Sequence, residues 1–159
     1  MHITATELRS LSHNILAAHG FSKEHQHSIT ETLVTAQIDQ CHSHGVWRLL
    51  GIIDTLKHGK IDATASPVVT HEQGAIIKID AKLGAATTAL ALGLPKLIEK
   101  AKQSGIALLA INHCVHFSAL WVEVEQLTRA GLIAINMTPS HAWVAPSGSR
   151  EPLLGTNPI

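Results

Sequence analysis

Ile106-Ala-Leu-Leu-Ala-Ile111, then Asn112-His-Cys-Val-His-Phe-Ser118, then a helical stripe of Leu120, Val124 and Leu127 closed by Gly131, then a second apolar run from Leu132 to Met137, decide the fold class. The first run is short and continuously apolar, which predicts a strand buried on both faces. Strand, loop, helix, strand make a βαβ unit, so the chain is expected to be α/β. Ligands of such units sit beyond the carboxyl ends of the strands. His113 and His116 fall at that position.

Upstream, Leu90, Leu94, Leu97, Ile98 and Ala101 keep helical spacing from Ala85 to Ser104, with Pro95 expected to kink or split the helix. Val68-Val-Thr70 and Ala75-Ile-Ile-Lys-Ile79 flank Glu72-Gln-Gly74, which predicts a hairpin. Further back lie three helices. Thr4-Ala-Thr-Glu7 has the form of a capping box and opens the first, with Leu8, Leu11, Ile15 and Leu16 as its stripe and Gly20 as its stop. Ser22 opens the second, and the third runs from about Val46 to Lys57. Downstream, Pro139 to Ile159 is rich in Pro, Gly, Ser and Asn and has no closing element, so the chain looks cut short.

Between the second and third helices stands Asp39-Gln-Cys-His-Ser-His-Gly-Val-Trp-Arg-Leu49. Ser43 and His44 fall at or just before a helix start, and Arg48 is four residues from His44, one helical turn away on the same side. An imidazole and a guanidinium facing one ligand suit a small carboxylate. The plainer alternative is that Ser43 only caps the helix, His44 is incidental and Arg48 pairs with Asp54 or a neighbour.

Lys+Arg 12 balance Asp+Glu 12, and aromatic residues are 3% with no Tyr, so nucleic acid and anionic membrane are disfavoured as partners. No run of about 18 apolar residues occurs and the N-terminus has no secretory pattern, so a soluble, cytoplasmic protein is expected. Twelve histidines raise the question of a metal. His42-x-His44 and His113-x-x-His116 lack the helical i, i+4 spacing with an intervening Glu, and no metal site is assigned. Cys41 and Cys114 are expected to be reduced thiols, with a nucleophilic role disfavoured. Neither Gly-x-Gly-x-x-Gly after a strand nor a P-loop is present.

Three stretches, in order, resemble one family. Ser43 to Leu49, then Asn112-His-Cys-Val-His-Phe-Ser-Ala-Leu-Trp121, then Val144-Ala-Pro-Ser-Gly-Ser-Arg-Glu-Pro-Leu-Leu-Gly-Thr-Asn-Pro158 are similar to the malate/L-lactate dehydrogenase type-2 family, a non-Rossmann group. The His-Phe-Ser-Ala-Leu-Trp form resembles its cyclic-imine reductases, which act on Δ1-pyrroline-2-carboxylate and Δ1-piperideine-2-carboxylate. The 2-hydroxyacid dehydrogenases of malate, lactate or ureidoglycolate are the alternative.

The resemblance implies roles. Ser43 and His44 match a proton relay, with His44 as donor and the relay Asp further along the family's chain. Arg48 and Thr156 match substrate ligands, and His116, Phe117, Ser118, Ala119 and Leu120 match a cofactor-contacting loop. It implies NADPH, or NADH, as cofactor, a small carboxylate substrate and a homodimer. It also implies the family's non-Rossmann NAD(P)-binding fold in truncated form: N-terminal helices, then a mixed sheet with flanking helices. Family members are about twice as long, so residues 1–60 are expected to form a helical segment and 61–159 the start of the cofactor-binding domain. A non-catalytic fragment that self-associates is the remaining alternative. Gly148-Ser149 replaces the family's Gly-Gly, so a strained or remodelled turn is expected there.

Overall fold

The computed structural model describes residues 2–159. Helix α1 (Ala5–Ala18) starts at the expected capping box: Thr4 Oγ1 accepts from the Glu7 amide at 3.2 Å, and the Thr4 amide donates to Glu7 Oε2 at 2.8 Å. Helix α2 (Lys23–Ile38) is capped by the Ser22 hydroxyl. A 3-10 turn at His42–His44 leads into α3 (Arg48–Lys57). Leu16, Phe21, Ile29, Leu33 and Ile52 bury one face of each helix in a first core, which Ala85 and the edge of Phe117 complete.

The hairpin forms as expected. Strand β1 (Val68–Gln73) pairs antiparallel with β2 (Ile76–Asp80) across a turn at Gly74, which takes a φ of 54°. Helix α4 (Ala86–Ser104) then returns the chain so that β3 (Leu108–Asn112) pairs parallel with β2, giving a mixed three-stranded sheet of order β1-β2-β3. Helix α5 (Leu120–Arg129) follows. A second core of Ile77, Ile79, Ala81 and Ala89 lies between α4 and the sheet.

Four expectations need correction. The βαβ unit is β2-α4-β3, not the run from Ile106 to Met137. Strand β3 is not buried on both faces: its residues alternate between exposed and half-buried, because β3 is the sheet's edge and only α4 covers it. Leu132 to Met137 forms no strand, although its exposure also alternates, with Ile133, Ile135 and Met137 outward. It lacks a ladder partner among the described residues. Helix α4 also runs unbroken through Pro95, an exposed position where losing one helical hydrogen bond does not end the helix.

Candidate active site

The turn after α2 is built to present Ser43, His44 and Arg48. Gln40 adopts a φ of 60°, and the Cys41 amide bonds back to the Ala36 carbonyl, ending the helix abruptly. Gly45 lies against Gln37 so tightly that a Cβ would collide with its amide. Gln37 in turn holds His42 Nδ1 at 2.7 Å and receives the Val46 amide. Of the plainer reading, the cap does not form, since Trp47 is the cap position of α3 and no side chain caps it; Arg48 meets a neighbour, the Ser43 carbonyl, rather than Asp54.

Ser43 Oγ lies 2.9 Å from His44 Nδ1. Arg48 folds back over the turn, its Nε donating to the Ser43 carbonyl at 2.8 Å and its guanidinium lying 5.2 Å from the centre of the Trp47 ring. Among the described residues neither Nη makes a hydrogen bond, so the end of the fork is available to a ligand. Trp121 of α5 stands edge-on to His44 with ring centres 6.5 Å apart, and its indole N–H donates to Asp39 at 3.1 Å. Burial lowers the His44 pKa below the usual imidazole range, and the nearby Arg48 and His116 lower it further.

His44 and Arg48 open onto a cleft of about 1450 Å³, which His116, Phe117, Ser118 and Thr156 also line. Thus most of the expected site residues meet around one space. Thr156 arrives through the irregular tail, where its hydroxyl bonds to Ser140 at 3.0 Å and Gly155 is pressed against Ser140 with no room for a Cβ. Ala119 and Leu120 are not on the cleft: Ala119 is buried against Ala36 and Val122, and Leu120 begins α5. Gly148 takes the positive φ of the turn alone. Ser149 is unstrained, its hydroxyl bonding both ways to the Glu151 backbone.

Two groups at the site escaped the sequence reading. Glu123 is buried beneath His116 and Ser118, and Asn136 reaches it from the segment after α5. The signal was present: Glu123 occupies the apolar stripe of α5, between Leu120 and Leu127, where a charge needs a partner. Among the described residues no three His, Cys, Asp or Glu side chains converge as a metal would need. Burial pushes the Cys114 thiol up, which favours its protonated form.

A profile of the malate/L-lactate dehydrogenase family matches residues 3–159. The chain belongs to the malate/L-lactate dehydrogenase family. Among this family's proteins, it is 53% identical over its full length to a Δ1-pyrroline-2-carboxylate/Δ1-piperideine-2-carboxylate reductase of Pseudomonas aeruginosa, covering 48% of that protein. It is 47% identical to a Δ1-pyrroline-2-carboxylate reductase of Burkholderia ambifaria, matching 99% of this chain and 46% of the relative. The crystal structure of Δ1-piperideine-2-carboxylate reductase from Pseudomonas syringae pv. tomato superposes with a TM-score of 0.93 at 39% identity, over 99% of this chain and 47% of that one. Malate dehydrogenase of Pyrococcus horikoshii gives 0.91 at 28%, over 99% and 45%. The chain spans about half the length of the relatives it matches.

Proposed function

We propose that this chain carries the substrate and proton-donor side of an NAD(P)H-dependent reductase of cyclic imino acids, acting on Δ1-pyrroline-2-carboxylate and Δ1-piperideine-2-carboxylate. The observation that carries the reading is the shared cleft: His44, backed by Ser43, and the open end of the Arg48 fork face the same space. Relatives at 47% and 53% identity with such names support the choice of substrate.

The two Nη groups of Arg48 take the substrate carboxylate end-on, since Nε is already engaged. Thr156 adds a hydroxyl from the same cleft. When bound, NAD(P)H would supply the hydride for the C=N carbon. As the C=N π bond breaks, its electron pair ends on nitrogen, and His44 delivers the proton that completes the amine. Ser43, on Nδ1, keeps the ring oriented and relays a replacement proton from solvent. The residues fit such a cofactor: the cleft is large enough to hold more than a small acid, and His116, Phe117 and Ser118 add polar and aromatic groups to the lining it shares with His44. We favour NADPH on the likeness to the imine reductases. In this reading residues 1–60 hold the substrate end, 61–159 begin the cofactor side, and the active protein is a cytoplasmic homodimer.

Arg48→Lys is expected to raise KM for the cyclic imine by about tenfold or more, because an ammonium cannot match both carboxylate oxygens. His44→Ala is expected to lower kcat by about 10²-fold or more with KM little changed. The donor must be imidazolium, and its pKa is lowered, so kcat should fall as pH rises through a value below the ordinary imidazole range. Steady-state assays with cyclic imine against 2-oxo acids check all three. Turnover of 2-oxo acids alone would move the assignment to a 2-hydroxyacid dehydrogenase. Absence of NADPH binding to the folded chain by calorimetry would mean the chain alone is a non-catalytic piece.

A further inference from the structure

Glu123 is 4% exposed, and its one ionic partner among the described residues is His116. A carboxylate removed from water is costly unless hydrogen bonds replace its hydration. Three side chains from two segments do so here. The Ser118 hydroxyl donates to Oε1 at 2.6 Å, and His116 Nε2 lies 2.9 Å from the same oxygen. Asn136 Nδ2 donates to Oε2. His116 and Ser118 belong to the loop between β3 and α5, Asn136 to the extended segment beyond α5, and all four residues line the cleft.

A carboxylate only accepts, so the protons on Ser118 Oγ and His116 Nε2 both point at Oε1. Ser118 Oγ, 2.9 Å from Nε2, points its own hydrogen at Glu123 and so accepts a share of the ring N–H. His116 therefore carries a proton on Nε2, and Nδ1 is the nitrogen left for a ligand. The pattern is not that of a hydrolytic triad, where the imidazole bridges hydroxyl and acid through its two different nitrogens.

We propose that Glu123 is the positioning residue of the cofactor-side loop: it fixes the ring of His116 and the hydroxyl of Ser118 in one orientation at the cleft wall. The functional consequence rests on the reading that a nicotinamide nucleotide lies beside that loop.

Glu123→Gln keeps the volume but turns an acceptor into a donor at one end, so either the loop or Asn136 loses its bond. Adding Asn136→Asp restores a complete network with the polarity of one bond reversed. Ring ¹⁵N NMR reports the protonated nitrogen of His116, whose signal is the one lost in His116→Gln. The unsubstituted chain should show Nε2 protonated, Glu123→Gln a mixture of tautomers, and the double variant a return to the first state. NADPH affinity, measured by calorimetry, should fall about tenfold in Glu123→Gln and recover most of that in the double variant. Far-UV circular dichroism confirms that each variant is folded. An unprotonated Nε2 in the unsubstituted chain overturns the proposal, as does a Glu123→Gln protein unchanged in tautomer and affinity. So does a folded double variant no better than the single. If the tautomer responds as expected but no chain binds NADPH, this chain alone does not hold the nucleotide and Glu123 stands as the anchor of the loop.

Discussion

His25 has no exposed surface, and its two ring nitrogens hold different parts of the molecule together. A backbone amide can only donate, so the Ala85 N–H at 3.3 Å makes Nε2 an acceptor, and Nδ1 carries the proton that reaches Ser22 Oγ at 3.0 Å. The ring is neutral. Burial is the main cause of a lowered pKa, opposed in part by Asp62 and Glu24, the acidic groups facing it. In the unfolded chain His25 returns to the ordinary imidazole value, so at mildly acid pH the unfolded state binds the extra proton. The stability from neutral His25 is therefore fully present above about pH 6.5 and is lost as pH falls towards the folded value. His25→Asn should cost about 2 kcal/mol at pH 8 through lost packing and hydrogen bonds, and should flatten the fall in stability between about pH 6.5 and 5. Urea unfolding at both pH values measures this; equal slopes in the two proteins would count against it.

At the scale of elements, α4 can approach the sheet because Gly93 has no side chain. A Cβ there would lie 2.7–2.9 Å from Leu109 and Ile79 methyl groups. Gly93→Ala gains up to about 1 kcal/mol in helix propensity but meets an overpacking cost of about 1–3 kcal/mol. Overpacking wins because Ile79 is fully buried, with nowhere to move. A Tm lower by roughly 2–8 °C is expected, and an unchanged or higher Tm would show that the sheet yields instead. The elements legible in the sequence were those specified locally: the capping box at Thr4, the Ser22 cap and the hairpin around Gly74 all carry their signals within a few residues. The misread ones depend on distant partners. Ile106 to Ile111 is apolar enough for a strand covered twice but has one covering layer, and Leu132 to Met137 has the period of a strand without a neighbour. The same limit applied to the site: Ser43, His44 and Arg48 sit within six residues, whereas the Glu123 and Asn136 contact spans thirteen.

Across the whole molecule, the half-covered edge strand β3 and the unpaired segment after α5 leave Ile106, Leu108, Ile133, Ile135 and Met137 all more than half exposed. The formal net charge at pH 7 is 0, with twelve histidines still to titrate. Near neutrality, therefore, little repulsion opposes contact between apolar surfaces, whereas acidification makes a chain this rich in histidine net positive and copies repel. Burial delays charging at His25 and His44, so the net positive charge grows chiefly on the surface. Association measured by light scattering should then be greatest near pH 7, weaken on acidification and strengthen when salt screens the acid form. Ile133→Gln combined with Ile135→Gln should lower it at pH 7 without altering charge. Scattering that ignores both pH and these substitutions would mean that neither the charge balance nor the apolar segment after α5 governs how copies of the chain meet.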